Sequence, residues 1–170
     1  LALHSKTIAE AVHPLPVSVE VTTNDRVEMC DQAIEIASWA DNINVKITIH
    51  GPDGGTENLE VVHALETKHD IRVNVTAMMS AQQCILAAMA GATFVSLFGG
   101  RVNNMGYDSR DEVNRTRDLL DAFGSSSKLI VGSTRETVNI VEWFEAGADI
   151  VTTVPGLLEN MLVHPYSKET

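Results

Sequence analysis

The chain has 170 residues, a hydrophobic fraction of 44% and a charged fraction of 21%, which fits one folded domain with a single core and excludes a disordered tail, a collagenous repeat or a disulfide-stapled miniature. Twelve Lys and Arg against twenty-three Asp and Glu leave a formal charge of −11. A surface that negative repels phosphate backbones and anionic headgroups, and no apolar run approaches the roughly 18 residues of a membrane span, so neither nucleic acid nor membrane is expected as a partner.

In chain order, the sequence opens at Leu1 inside a helical pattern. Six short β-branched runs follow: Val17 to Thr22, Asn44 to Ile49, Arg72 to Thr76, Thr93 to Phe98, Lys128 to Val131 and Asp149 to Val154. Between them, apolar residues recur at three- and four-residue spacing, as in Leu59, Val62 and Leu65 or Val138, Val141 and Phe144. Ser80 and Ser109 stand where helix N-caps are needed, and Gly91 and Gly147 where helices end in a left-handed residue. The strand starts near 17, 44, 72, 93, 128 and 149 are 27, 28, 21, 35 and 21 residues apart. Six consecutive units of that size, with strands read as apolar on both faces, predict a parallel sheet covered by helices. The near-copies Ala90-Gly-Ala-Thr-Phe-Val and Ala146-Gly-Ala-Asp-Ile-Val favour a repeating α/β unit. The expected fold is of the (β/α)8 TIM-barrel type, with about six of its eight units present. Both ends are read as cut within a longer chain.

Several features are read as structural. The glycine-rich stretch from His50 to Gly55 fits no nucleotide-binding pattern and is expected as a loop on the barrel rim. Cys30 and Cys84 lack CxxC spacing and are expected as buried, reduced thiols. With no basic-then-apolar leader in view, a cytoplasmic protein is expected. His50, His63, His69 and His164 show no metal-ligand spacing and are read as structural or solvent-facing, with no metal expected. Trp39 and Trp143 are read as helix-borne core or interface residues.

Lys46 is the most informative position. It sits mid-strand between Val45 and Ile47. It is either a strand-end amine reaching solvent, one member of a buried ion pair, or a barrel-interior nucleophile. In the last case desolvation would disfavour the ammonium and free the amine to condense with a carbonyl.

The segments Asn44-Val-Lys46-Ile-Thr, Val73-Asn74-Val75-Thr76, Ser96-Leu-Phe98-Gly-Gly-Arg101, Ser133-Thr134-Arg135 and Ala146-Gly-Ala148-Asp-Ile-Val-Thr152, in this order from about Val17 to Pro165, resemble the transaldolase family of class I aldolases. The resemblance implies that residues 1–170 are a single barrel domain lacking that family's first two strands. It implies that Lys46 attacks a ketose C2 carbonyl and that Glu20 and Thr76 hold the catalytic water. Asn74 and Ser96 would hydrogen-bond substrate hydroxyls, while Arg101, Ser133 and Arg135 would hold the substrate phosphate. Planar guanidinium forks suit that last task, although either arginine could instead form a surface ion pair, and Glu20 could be a purely structural partner of a lysine.

Departures from the family pattern are Leu97 where proline is usual and Thr48 where a proline shortly follows the lysine. The family's first-strand aspartate, the acid–base group for carbon–carbon cleavage, has no counterpart among these runs. The reaction implied is transfer of a dihydroxyacetone unit from a ketose phosphate to an aldose phosphate through a lysine Schiff base, in a cytoplasmic homo-oligomer; this aldol-type chemistry calls for no cofactor. Glu20 and Phe98 favour this transferase over the fructose-6-phosphate aldolase branch, which tends to carry Gln and Tyr there. The alternatives are that lyase, or a non-catalytic sugar-phosphate-binding or assembly protein.

Overall fold

The computed structural model describes residues 1–170. Six strands, β1 (Val17–Glu20), β2 (Ile43–Thr48), β3 (Val73–Met78), β4 (Phe94–Leu97), β5 (Lys128–Val131) and β6 (Ile150–Val151), alternate with helices. The helices are α1 (Ala2–Val12), α2 (Arg26–Ala37), α3 (Glu57–Lys68), α4 (Ala81–Met89), α5 (Gly99–Asn104), α6 (Ser109–Ala122), α7 (Thr137–Glu145), α8 (Pro155–Leu162) and α9 (Pro165–Glu169). Every strand pairs in parallel with the next in sequence, so the sheet order is β1-β2-β3-β4-β5-β6, with β1 and β6 at its edges. The sheet curls into part of a (β/α) barrel, as the strand spacing predicts. No helix is long and apolar enough to cross a membrane.

Alternation along the strands decides what each face carries. Val45 and Ile47, Val73 and Val75, Val95 and Leu97, and Leu129 and Val131 are fully buried in one cluster with Met29, Leu65, Cys84, Leu120 and Trp143 from the helices. That layer between sheet and helices is the hydrophobic core. The other, concave face takes the intervening residues: Ser18 and Glu20, Asn44, Lys46 and Thr48, Asn74 and Thr76, and Ser96. The expectation of strands apolar on both faces is therefore corrected. Phe94, Ile130 and Ile150 keep part of the concave face apolar, but most of it is polar, which a packed barrel core would not tolerate without a use for those groups.

Strand β3 breaks the alternation once. Its register with β4 shifts between Val75 and Met78, and Ala77 adopts a left-handed φ of 61°. The bulge returns Met78 to the helix-side core, opposite Leu97, while leaving Thr76 on the concave face.

Local chemistry sets the helix ends. Asp25 caps α2 by accepting from the backbone N–H of Val27 and Glu28, and Ser80 caps α4 by accepting from Gln83. Ser109 is not a cap: Asp108 accepts from Arg110 N–H in that role, and the buried Ser109 hydroxyl accepts instead from the Trp143 indole N–H at 2.7 Å. Gly91 and Gly147 end their helices at φ 101° and 102°. The edge strands are shorter than their β-branched runs suggest. Beyond Val21 the Thr22 N–H is satisfied by the Gln32 side chain of α2 rather than by a strand.

Candidate active site

Glu20 and Lys46 are in-register partners on β1 and β2, both on the concave face. Lys46 Nζ lies 3.3 Å from Glu20 Oε2, with side-chain exposures of 28% and 48%. The amine thus points into the curl of the sheet, not out among the helices. It is neither dry nor unpaired, so the picture of a fully desolvated nucleophile is corrected to a half-buried amine beside a carboxylate.

The next strand supplies Asn74, in register with Lys46. Its carboxamide is fixed from both sides: Nδ2 donates to Ser18 Oγ at 3.0 Å, and Oδ1 accepts from Ser96 Oγ at 2.7 Å. The Ser18–Asn74 bond spans β2, so Lys46 rises from a polar girdle joining four strands. One step further along, Thr76 pairs in register with Thr48, and its buried hydroxyl (residue exposure 2%) has no hydrogen-bond partner. Thr76 and Glu20 therefore flank Lys46 from opposite neighbouring strands.

These groups open onto one cavity of about 460 Å³. Lys46, Asn74, Thr76, Ser96 and Ser133 line it together with Ser18, Asn44, Phe98 and Thr152. Glu20 joins through its ion pair. Arg101 and Arg135 do not line the cavity; they stand at its rim. The Arg101 guanidinium carbon is 5.0 Å from the centroid of the Phe98 ring, one wall of the cavity. The Arg135 stem packs at Gly100, where its Cγ would lie 3.1 Å from an added Cβ. Both are exposed, and the arginine ion pairs of the structure are those of Arg26, Arg115 and Arg117 instead.

The rim has its own backbone logic. Gly100 N–H donates to the Gly132 carbonyl at 3.3 Å, and Ser133 sits at a left-handed φ of 63°. The first turn of α5 and the β5–α7 loop are thus laced together, which brings Arg101, Ser133 and Arg135 close to one another.

Sequence reasoning missed Ser18 and gave Asn44 no role. Both lie two residues before a residue already singled out, Glu20 and Lys46, and a two-residue strand period places them on the same face. No three His, Cys, Asp or Glu side chains gather as a metal-holding group.

A family model described as Transaldolase/Fructose-6-phosphate aldolase matches residues 2–170. A protein of Dehalococcoides mccartyi named probable transaldolase is 36% identical over 151 residues, 89% of this chain and 67% of that protein. A probable transaldolase of Methanococcus maripaludis is 35% identical over 152 residues, 89% of this chain and 68% of its own length. Among solved structures, a protein described as a lactate oxidase from Pediococcus acidilactici matches 87% of this chain and 50% of its own with a TM-score of 0.63 at 16% identity. A mandelate oxidase with benzoyl-formic acid gives a TM-score of 0.58 at 13% identity over 87% of this chain and 51% of its own. At such identities the likeness is one of fold. The chain spans about two thirds of the curated relatives it matches and about half of these solved structures.

Proposed function

The chain belongs to the transaldolase/fructose-6-phosphate aldolase family, and from that premise we propose that it handles a ketose phosphate through an imine on Lys46. The observation that carries this reading is the position of the Lys46 amine on the concave face, at the wall of a polar cavity with two unpaired arginines at its rim.

The phosphate would sit at the rim, held by Arg101, Arg135 and the Ser133 hydroxyl, and the C2 carbonyl would meet Lys46. Attack of the neutral amine gives a carbinolamine, and loss of water gives the iminium. Glu20 and Thr76, on either side of the amine, hold the water that leaves and later returns. Asn74 and Ser96, locked together by their hydrogen bond, present their remaining donor and acceptor capacity to substrate hydroxyls. The iminium is an electron sink: as the C4 hydroxyl proton passes to a base, the C3–C4 bonding pair moves into the enamine on Lys46 and an aldose phosphate departs. Addition of the enamine to a second aldose phosphate, followed by hydrolysis, completes a transaldolase cycle. Release of dihydroxyacetone by water instead gives the aldolase outcome.

Glu20 is the one acid within the six strands, whereas the resemblance assigns the C4 base to an aspartate on a further strand. This favours a second reading, in which the 170 residues form the imine and hold the sugar phosphate without cleaving it. One experiment tests both. Incubation with fructose 6-phosphate and borohydride should add a mass to the peptide containing Lys46, and Lys46→Arg should abolish it. Release of glyceraldehyde 3-phosphate separates cleavage from holding. A full-length protein that gives no adduct at Lys46 refutes the imine.

A further inference from the structure

Phe98 and Arg101 stand about one helical turn apart at the start of α5, and the backbone fixes that spacing. The Phe98 N–H donates to the Met78 carbonyl at 2.8 Å, while the Phe98 carbonyl accepts from the N–H of Arg101 at 3.0 Å and of Val102 at 3.1 Å. The half-buried ring is one wall of the cavity. Arg101 is exposed, and its guanidinium carbon lies over that ring, 5.0 Å from the centroid. A ring face attracts a cation through its quadrupole, whereas a carboxylate would take up the N–H donors of the fork. Those donors therefore stay available to an arriving anion. Arg135 has no such ring beside it; its stem packs at Gly100.

We propose that Phe98 is a positioning residue: its π face holds the Arg101 guanidinium at the rim before a phosphate arrives, and so tightens binding of a phosphorylated ketone without touching the phosphate. A free arginine side chain gives up much of its rotamer freedom when it engages an anion, and that loss subtracts from affinity. An arginine already laid over a ring has given up part of it beforehand. The effect must then follow the electron density of the ring face, whereas a mere cavity wall would follow ring size and shape. This inference rests on the reading that Arg101 holds the substrate phosphate, and it does not require the imine on Lys46.

The test replaces Phe98 site-specifically with monofluoro-, difluoro- and trifluorophenylalanine, which withdraw electron density from the ring face in steps at nearly constant volume and so keep the fold. In borohydride trapping on the full-length protein, the half-saturating fructose 6-phosphate concentration should rise with each fluorine. It should reach about two- to fivefold for the trifluoro ring, the scale of an exposed cation–π contact. Unphosphorylated dihydroxyacetone should show no trend. The fructose 6-phosphate trend should vanish in an Arg101→Ala background and persist in Arg135→Ala. A flat series, an equal rise with both ketones, or a trend that survives Arg101→Ala overturns the positioning role and leaves Phe98 a wall of the cavity. If the unaltered protein forms no adduct at Lys46, the imine reading fails by itself, and calorimetric titration with fructose 6-phosphate reads the same series. No binding or no trend there overturns the proposal too.

Discussion

Gly100 and Ser133 approach so closely that a Cβ on Gly100 would stand 1.7 Å from the Ser133 carbonyl oxygen. Backbone of that kind cannot swing away as a flexible side chain could. Gly100→Ala should therefore part α5 from the β5–α7 loop, costing about 1–3 kcal/mol of stability by overpacking. It should weaken adduct formation with fructose 6-phosphate far more than with unphosphorylated dihydroxyacetone, because the rim, not the amine, is displaced. Chemical denaturation and borohydride titrations with both ketones check the two halves. Equal losses for the two ketones would detach the rim from phosphate binding.

Arg101 and Arg135 offer a related expectation. Both guanidiniums are exposed and free of carboxylate partners, so neither contributes ion-pair stability that its removal would forfeit. Arg101→Ala and Arg135→Ala should leave the melting temperature within a degree or two, since exposed changes of this kind are worth about 0.5 kcal/mol or less. Each should raise the half-saturating fructose 6-phosphate concentration about tenfold or more, the loss of a charge-assisted contact. Unchanged saturation in both variants would remove the phosphate from this rim.

The strand repeat was legible in the sequence because a parallel sheet needs β-branched runs at regular intervals, and that pattern survives without any contact information. The concave site was legible where chemistry interrupts an apolar run, as Lys46 does between Val45 and Ile47. What could not be read was which polar groups satisfy one another. Ser18 looks like any serine in a strand until its hydroxyl is found across β2 accepting from Asn74. The Ser109 cap failed for the same reason: Asp108 is one residue away and equally able, and the choice is made by the distant Trp143 indole, which claims Ser109. The β3 bulge leaves no sequence signature either, because Ala77 is an ordinary strand residue everywhere but at a left-handed φ.

That bulge yields its own prediction. Alanine at φ 61° is strained where glycine is not, and a β-branched residue is strained further. Ala77→Gly should keep or slightly raise stability, whereas Ala77→Val should lower it by about 1–3 kcal/mol. If the strain aims Thr76, Ala77→Val should also slow both imine formation and imine hydrolysis, since the proposed mechanism has Thr76 hold the water exchanged in each. Pre-steady-state trapping resolves the two steps, and unchanged rates for both would leave the bulge a packing device only.

At the opposite end of the barrel, Glu66 Oε1 accepts from the backbone N–H of both Val73 and Thr93 at 2.7 Å, and Oε2 accepts from the Thr93 hydroxyl at 3.1 Å. One carboxylate thus pins the approach to two adjacent strands. Glu66→Ala should cost about 2–4 kcal/mol, because two part-buried donors lose a charged acceptor at once. Adduct formation at Lys46 should be unaffected under conditions where the variant is folded. A stability change below about 0.5 kcal/mol would mean that water replaces the carboxylate freely.

Cys84 ties stability to pH. Burial between α4 and α6 pushes its thiol up from 9.0 to about 12, with a hydrogen bond involving Thr116 pulling the other way and the Glu112 charge adding to the rise. The folded chain therefore keeps the proton over a range in which the unfolded chain releases it. The resulting stabilisation is complete below about pH 9 and declines as the pH rises toward 12, where the folded thiol also ionises. The stability difference between the unaltered protein and Cys84→Ala isolates this effect, because every other ionisable group is common to both. That difference should shrink by about 1.4 kcal/mol for each pH unit above 9. Urea unfolding at several pH values from 8 to 11 measures it, and a constant difference would show that the thiol is reached by solvent. The half-buried Cys30 should in the same range be the thiol that a disulfide reagent finds first, with Cys84 reacting only on unfolding.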